Sequence, residues 1–306
     1  AVAGAATAIG ALTTKAIEGY AAQEQLVGGV ETLFKTSSDT VVGYANDAYK
    51  TAGMSANEYM ETVTSFSASL LASMNNDTAA AAEKANVAIT DMSDNANKMG
   101  TDISLIQNAY NGFAKQNYTM LDNLKLGYGG TKEEMQRLLD DASKLSGIKY
   151  DISSYSDVVD AIHVVQTEMG ITGTTAKEAS TTIEGSVSSM SSAWDNWVAG
   201  MADSEANFSQ LTSNLVDSIV TVVGNIAPRV IETVPRLVSG LGEIVEQLAT
   251  YIPQVIQELL PPLMSGVQDL LNTLVGMLPE MISIIGQIIP TIIDTLLTIL
   301  PQLLEA

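Results

Sequence analysis

Apolar residues recur at three- and four-residue steps along the first half of the chain, which is the spacing of one helical face. The clearest example is the series Met60, Val63, Phe66, Leu70 and Met74. Just before it, Ser55-Ala56-Asn57-Glu58 has the pattern of a capping box, in which the serine side chain accepts a backbone N–H and the glutamate bonds back to the serine N–H. We therefore predict an amphipathic helix that begins after Ser55.

Capping residues and glycines divide the rest of this region into further helices. The predicted helices are 78–98 between Asp77 and Gly100, 101–124 before the turn Gly127–Gly130, one between the box Thr131–Glu134 and Gly147, and one from Ser153 or Ser154 to Gly170. A third box, Thr175–Glu178, is predicted to open another helix. No alternation of period two persists, so we predict an all-α fold of elongated helices and helical hairpins without a sheet.

Prolines punctuate the apolar end of the chain, after about residue 216. They stand at positions 228, 235, 253, 261, 262, 279, 290 and 301, and the last three are eleven residues apart. Eleven residues are almost three helical turns, so equivalent side chains return to one face. Proline inside a helix costs about 3 kcal/mol. The segment is therefore either a series of short helices or a kinked continuous helix held by partners or lipid, and we favour short helices with each proline in a first turn.

Charge and apolarity define three zones. Residues 1–170 form the capped helical region, 171–215 a Ser/Thr-rich connector, and 216–306 the apolar zone. Within the connector, Trp194 and Trp197 are three residues apart, so both rings are expected on one helical face. We expect both ends of the chain to be boundaries of a longer protein, since the first begins in a run of small residues and the second stops within the proline pattern.

The composition excludes several classes of function. Thirty-five acidic and 14 basic residues give a net charge of −21, which repels phosphates, so no specific nucleic-acid binding is expected. The chain has no cysteine, so it has no disulfide, thiolate metal site or cysteine nucleophile. Aromatic residues make up only 5% of the chain, which suits narrow seams between helices better than aromatic-rich cores.

Candidate chemical residues are better explained as structural ones. His163 follows Asp160 by three residues, but a surface pair on a helix is far commoner than a catalytic pair. Adjacent acids such as Glu133-Glu134 and Asp140-Asp141 do not share a helical face. The sequence Gly127–Lys132 lacks the order and preceding strand of a phosphate-binding loop. We therefore predict no catalytic, cofactor or metal site, and a protein that is not an enzyme.

The apolar zone predicts a surface that contacts a partner or a membrane. Its charge-free runs, 281–293 and 295–304, are each shorter than a spanning helix requires, and Asp294 separates them. Helix packing against a partner and insertion after release from a protective environment are both open interpretations. The residues predicted to make this contact are Leu278, Ile284, Ile285, Ile288, Ile289, Ile292, Ile293, Leu296, Leu297 and Leu300.

Three segments resemble tail tape measure proteins of long-tailed bacteriophages and prophages. They are 52–61, the stretch 118–135 with the sequence YTMLDNLKLGYGGTKEEM, and 183–197 with the two tryptophans. The proline-spaced Leu/Ile repeats resemble the zone that follows in that family. The likeness covers most of residues 40–306. The residues that carry the family motif are Leu124, Gly127, Tyr128, Gly129, Gly130 and Glu134.

The resemblance implies a structural protein of the virion. Such proteins lie in the lumen or tip of the tail, set its length during assembly, and leave to help the genome cross the host envelope. The implied partners are further copies of this chain, preferably three with six as the alternative, the tail tube and distal tail proteins, and the host membrane. A continuous helix of this length would span only roughly 460 Å at 1.5 Å per residue. The alternative function is a membrane-active, pore-forming protein of the bacteriocin kind.

Overall fold

The computed structural model describes residues 2–251, 264–273 and 275–276, and in these ranges the chain forms helices and turns without a strand. The all-α prediction is therefore confirmed. The α-helices are α1 Val2–Phe34, α2 Ser38–Thr51, α3 Ala56–Ser73, α4 Thr78–Met99, α5 Ile103–Phe113, α6 Lys132–Ser146, α7 Tyr155–Glu168, α8 Thr174–Thr181, α9 Ile183–Gly200 and α10 Phe208–Tyr251. A short 3-10 helix, Leu121–Leu124, precedes the glycine-rich turn.

The predicted helix ends form by the expected local bonds. Ser55 and Glu58 make both bonds of the capping box at the start of α3. The Asp77 carboxylate accepts the N–H groups of Ala79 and Ala80 at 3.1 Å, which caps α4. Gly100 and Gly147 end α4 and α6 with φ of 60° and 74°, the left-handed conformation that glycine adopts without strain.

The predicted end of the helix over 101–124 is wrong. The helix expected over 101–124 ends at Phe113, because Gln116 turns into the left-handed region at φ 57° and the Asn117 N–H folds back to the Gly112 carbonyl. The Tyr118 hydroxyl then bonds to the Ile152 carbonyl at 2.8 Å, a contact between distant parts of the chain. A bond made across the fold thus outweighs local helix propensity here.

The third predicted capping box is also wrong. Helix α8 begins after Gly173, whose φ is 83°, and Thr175 lies inside its first turn. The N–H groups of Gly173 and Thr175 donate to the carboxylate of Asp94 on α4, at 2.5 and 2.7 Å. A distant aspartate therefore replaces the local threonine as the cap of this helix.

Helices α1–α9 and the first half of α10 belong to one compact unit, Ala1–Val230, and residues 231–306 form a second unit. The unit 1 core is centred on α3–α7, where Tyr59, Phe66, Tyr110 and Phe113 are at most 2% exposed. Chain neighbours such as α6 with α7 and α8 with α9 pack as helical hairpins. Residues 1–200 fold back on themselves, because the apolar faces of their helices bury one another.

Small residues allow the outer helices to approach closely. A Cβ atom at Gly19 of α1 would lie 3.2 Å from the Cβ of Ala199 on α9. A second, smaller buried cluster joins α2, α9 and α10 through Tyr49, Ala193 and Leu215. The beginning of α10 is therefore part of the unit 1 core.

The prolines at 228 and 235 do not divide α10, which continues through both of them. This corrects the expectation of short helices at these two positions. Each proline leaves the carbonyl four residues earlier, at Gly224 and Ile231, without its helical N–H donor. Both of these residues are exposed, so water can donate a hydrogen bond to the freed carbonyl. The prolines at 253, 261, 262, 279, 290 and 301 lie outside the described residues.

Candidate functional site

The predicted motif Leu124–Glu134 folds into a closed turn between the 3-10 helix and α6. Leu124 is fully buried, and its carbonyl accepts a bond from the Asn95 side chain of α4 at 3.0 Å. Gly127 has a φ of 86°, which favours glycine. A Cβ atom at Gly130 would lie 2.9 Å from the carbonyl carbon of Thr119, so only glycine fits at this crossing of two backbone segments.

Arg137 and Glu134 hold the turn closed. The Glu134 carboxylate accepts the Gly129 N–H at 3.0 Å and two bonds from Arg137 at 3.1 and 2.5 Å. Arg137 also donates to the Gly127 carbonyl at 2.8 Å, and its guanidinium lies 4.2 Å from the centre of the Tyr128 ring. The ion pair with Arg137 lowers the pKa of Glu134. These groups bond to one another, so the motif stabilises the fold.

The second predicted capping box forms only one of its two bonds. The Thr131 hydroxyl accepts the Glu134 N–H at 3.2 Å, as expected. The Glu134 carboxylate, however, bonds to Gly129 and Arg137 instead of returning to Thr131. The lysine of the sequence Gly127–Lys132 is exposed at the start of α6. The turn is thus a helix start fastened to the preceding glycines.

Two buried aspartates of α4 form a polar seam that the sequence analysis missed. Asp94 is 0% exposed and caps α8, as described above. Asp91 is 1% exposed, and each of its carboxylate oxygens lies 2.9 Å from Nδ1 of His163. Both aspartates stand among Ala88, Ile89 and Met92, on the apolar face of α4. The sequence did carry a signal for this contact, since each aspartate occupies a helical position on the apolar face. A buried acid needs a polar partner, so such a position predicts a contact with another part of the chain.

The expected pairing of His163 with Asp160 is wrong. Asp160 instead forms an ion pair with Lys84 of α4, and His163 contacts Asp91. The bond to Asp91 raises the pKa of His163, although partial burial acts against this. Burial raises the pKa of Asp91, and the bond to His163 acts in the opposite direction. The pair joins α4 to α7, and its chemistry is that of a partly buried structural ion pair.

The tryptophan pair is confirmed on one face of α9 and continues into α10. The ring centres of Trp194 and Trp197 are 5.3 Å apart, and Trp197 stacks on Phe208 at 5.5 Å. The Trp197 indole N–H also donates to the hydroxyl of Thr212 at 3.1 Å. These contacts fix the angle at which α10 leaves α9 within unit 1.

The strongest candidate for an interaction surface is α10. Residues Phe208–Ile244 are long and apolar enough to cross a membrane, and only 17% of the tested window is buried. Core helices of soluble proteins also pass that test of length and composition, but they are mostly buried. The exposed side chains include Ile231 at 72%, Val238 at 65% and Leu237 at 60%. Exposed apolar faces of this kind are candidate sites for contact with a protein or a membrane.

All ten predicted contact residues, from Leu278 to Leu300, lie outside the described residues, so their predicted role stays a prediction. Within the described ranges, no cluster of three or more His, Asp and Glu side chains could hold a metal ion. Comparison of the chain with protein-family models, with curated proteins and with solved structures finds no match. The functional interpretation therefore depends on the residues and their geometry.

Proposed function

We propose that this chain is a structural protein of a bacteriophage tail, placed in the tail lumen or tip, that sets tail length and is then released to help deliver the genome. The observation that carries the proposal is the resemblance of residues 118–135 to tail tape measure proteins. In the structure, these residues bond to one another and to α4, as expected for a structural motif. We propose no enzymatic activity for it.

Two physical properties support the placement in a tail. The exposed apolar face of α10 requires shelter, which a protein tube and further copies of the chain would supply. The charge of −21 repels DNA, so the chain would not retain a genome that follows it through the same tube. Tail-tube and distal tail proteins are the proposed partners during assembly, and the host membrane is the proposed partner after release.

The tail-length role is tested by changing the number of residues in the phage gene. An in-frame deletion of 22 residues, two of the eleven-residue repeats, should shorten the tail by about 33 Å if the segment is helical. Replacement of those residues by an unrelated helical segment of equal length is the matched control and should restore the tail. Electron micrographs of purified tails give the length. Tails of unchanged length in the deletion strain would contradict the proposal.

A pore-forming protein is the second candidate, favoured by the length and exposure of α10. Its test is dye release from liposomes by the complete purified chain, over a range of pH. Release that stops when Leu237 and Leu241 are both replaced by Asp would support pore formation. Intact liposomes at every pH, together with the expected change in tail length, would leave the structural function as the better account.

A further inference from the structure

A polar groove lies among helices α3, α4 and α5 of unit 1. Its volume is about 540 Å³, within the range of sites that bind small molecules. One wall consists of residues at steps of three and four along α3, namely Glu58, Glu61, Thr62 and Ser65. The other wall repeats this spacing along α5, with Ser104, Gln107, Asn108 and Asn111. Ser65 donates to Asn111 Oδ1 at 3.0 Å, so the two polar faces meet, and we call the space that they enclose the α3–α5 groove.

Hydrogen bonds within unit 1 fix the orientation of two amides that line the groove. Gln107 donates from Nε2 to the Thr62 hydroxyl at 3.0 Å. Asn97 of α4 donates from Nδ2 to the Thr175 hydroxyl at 2.9 Å. Within the described residues, Gln107 Oε1 and Asn97 Oδ1 accept no hydrogen bond. The groove therefore offers amide oxygens as acceptors to a ligand that donates hydrogen bonds.

A buried hydroxyl of α4 lies in the same groove. Ser93 lines the groove and is only 3% exposed. Within the described part of the chain, its Oγ has no hydrogen-bond partner. Buried polar groups are nearly always hydrogen-bonded, so this hydroxyl indicates a polar group that the chain itself does not supply. This observation points to a ligand independently of the charge of the groove.

The charge of the α3–α5 groove favours a cation. Glu58 and Glu61 are both exposed in its wall, and none of the sixteen described residues that line it is basic. Ser55 donates to Oε2 of Glu58 in the capping box, which leaves Oε1 available. Thr64 bonds to the backbone carbonyl of Glu61, and the Glu61 carboxylate bonds to no described residue. The charge of −21 on the whole chain adds to the attraction for a cation.

Apolar groups in the groove favour an organic cation over a metal ion. Ala52, Met54, Ala96 and Ile103 also line it. A metal ion would not use this apolar surface, and no group of three or more His, Cys, Asp or Glu residues in the described ranges could hold one. Ammonium groups would donate to the carboxylates and amide oxygens, while the methylene groups between them would cover the apolar side chains.

We propose that the α3–α5 groove binds an aliphatic chain that carries two or more ammonium groups. A free linear polyamine and neighbouring lysine side chains of a protein partner share this chemistry. The groove lies wholly within unit 1 and its binding can be measured on the purified chain. A failure of this proposal is therefore distinguishable from a failure of the tail-length test.

Isothermal titration calorimetry on the complete purified chain tests the site, with spermidine as the probe. A buffer with about 0.15 M salt screens diffuse attraction to the acidic surface. Glu61→Gln removes a charge from the groove with little change of shape, and should weaken binding roughly tenfold through loss of a charge-assisted bond. Glu83→Gln removes the same charge from an exposed position of α4 outside the groove, and should weaken binding by less than about twofold.

A second pair of variants tests whether the ligand occupies the groove. Asn108→Lys brings an ammonium group into the α5 wall and should abolish spermidine binding. Leu105→Lys adds the same charge at an exposed position of α5 that does not line the groove, and binding should persist. All four altered residues are exposed, so helix content and the urea midpoint should match those of the wild type.

Two further ligands separate the sources of the ammonium groups from a diffuse ion atmosphere. Trilysine that binds where spermidine does not, with the same loss in Glu61→Gln, would assign the groove to a protein partner and support the shared chemistry. Mg²⁺ at the same concentration of charge should not displace spermidine. Displacement by Mg²⁺, equal binding by Glu61→Gln and Glu83→Gln, or no binding of either spermidine or trilysine would each overturn the proposal.

Discussion

Unit 1 and the exposed face of α10 contain the same kinds of apolar side chain, but these side chains are buried in the core of unit 1 and exposed on α10. Leu139 of α6 is 0% exposed, whereas Leu237 of α10 is 60% exposed. In unit 1, several short helices turn their apolar faces toward one another. Helix α10 has an equally regular apolar stripe, but within the described part of the chain nothing covers it. The difference shows that an apolar helical period alone does not decide whether a face is buried or exposed.

The largest expected effect comes from shortening one leucine in each region. Leu139→Ala should lower the free energy of unfolding of unit 1 by about 2–5 kcal/mol, because it leaves a cavity in a closed core. Leu237→Ala is the matched control and should change it by less than about 0.5 kcal/mol. Urea unfolding followed by tyrosine near-ultraviolet circular dichroism measures both. Equal losses would remove the distinction between the two regions.

The buried cap of α8 tests how strongly distant polar contacts hold unit 1. Asp94→Ala should cost about 3 kcal/mol, because two backbone N–H groups lose a charged acceptor in a buried place. Glu83→Ala on the exposed side of the same helix serves as the control and should be almost neutral. Hydrogen exchange should also show faster exchange at Gly173 and Thr175 in the Asp94 variant. Unchanged protection at both amides would count against this assignment.

The glycine-rich turn offers a smaller effect with a neighbouring control. Gly130→Ala should cost about 1–3 kcal/mol, because the new methyl group meets the Thr119 backbone, which cannot move aside easily. At Gly129 an added Cβ would meet only the Glu134 side chain, at 3.5 Å. Gly129→Ala should therefore be tolerated better in thermal unfolding. The reverse order would mean that the backbone crossing does not limit this turn.

The smallest expected effect is the pH dependence of the His163–Asp91 pair. Folding raises the pKa of His163 through its bond to Asp91, so the protonated form is favoured in the folded state. The resulting stability is complete below the ordinary histidine pKa near 6.5 and is lost as the pH rises through the raised value. Burial raises the pKa of Asp91, so the contribution of this carboxyl group to stability also falls as the pH rises through its raised value.

Between pH 6 and pH 9 the loss should stay below about 1 kcal/mol, because water screens the partly exposed ring. Unfolding curves for wild type and His163→Gln at several pH values measure it. The variant should lose this pH dependence. A wild type whose stability does not change over the range would show that the pair contributes no such linkage.

Local chemistry accounts for the predictions that are confirmed. The capping box at Ser55 and the end of α6 at Gly147 depend on residues within a few positions of each other. The errors lie where distant residues decide. The Tyr118 bond to Ile152 ends the loop after α5, and Asp94 takes the place of Thr175 at the start of α8. The apolar character of α10 can be read from its residues, but its exposure cannot.

The sequence by itself determined the helical class and most helix starts, because these follow from neighbouring residues and the helical period. Only the tertiary structure decided which apolar faces are buried. The tertiary structure also decided that His163 pairs with Asp91 and that α10 continues as one helix past Pro228 and Pro235. Burial and long-range bonds depend on which helices meet, and that depends on the whole chain. The same apolar period therefore gives a closed core in α3–α7 and an open surface in α10.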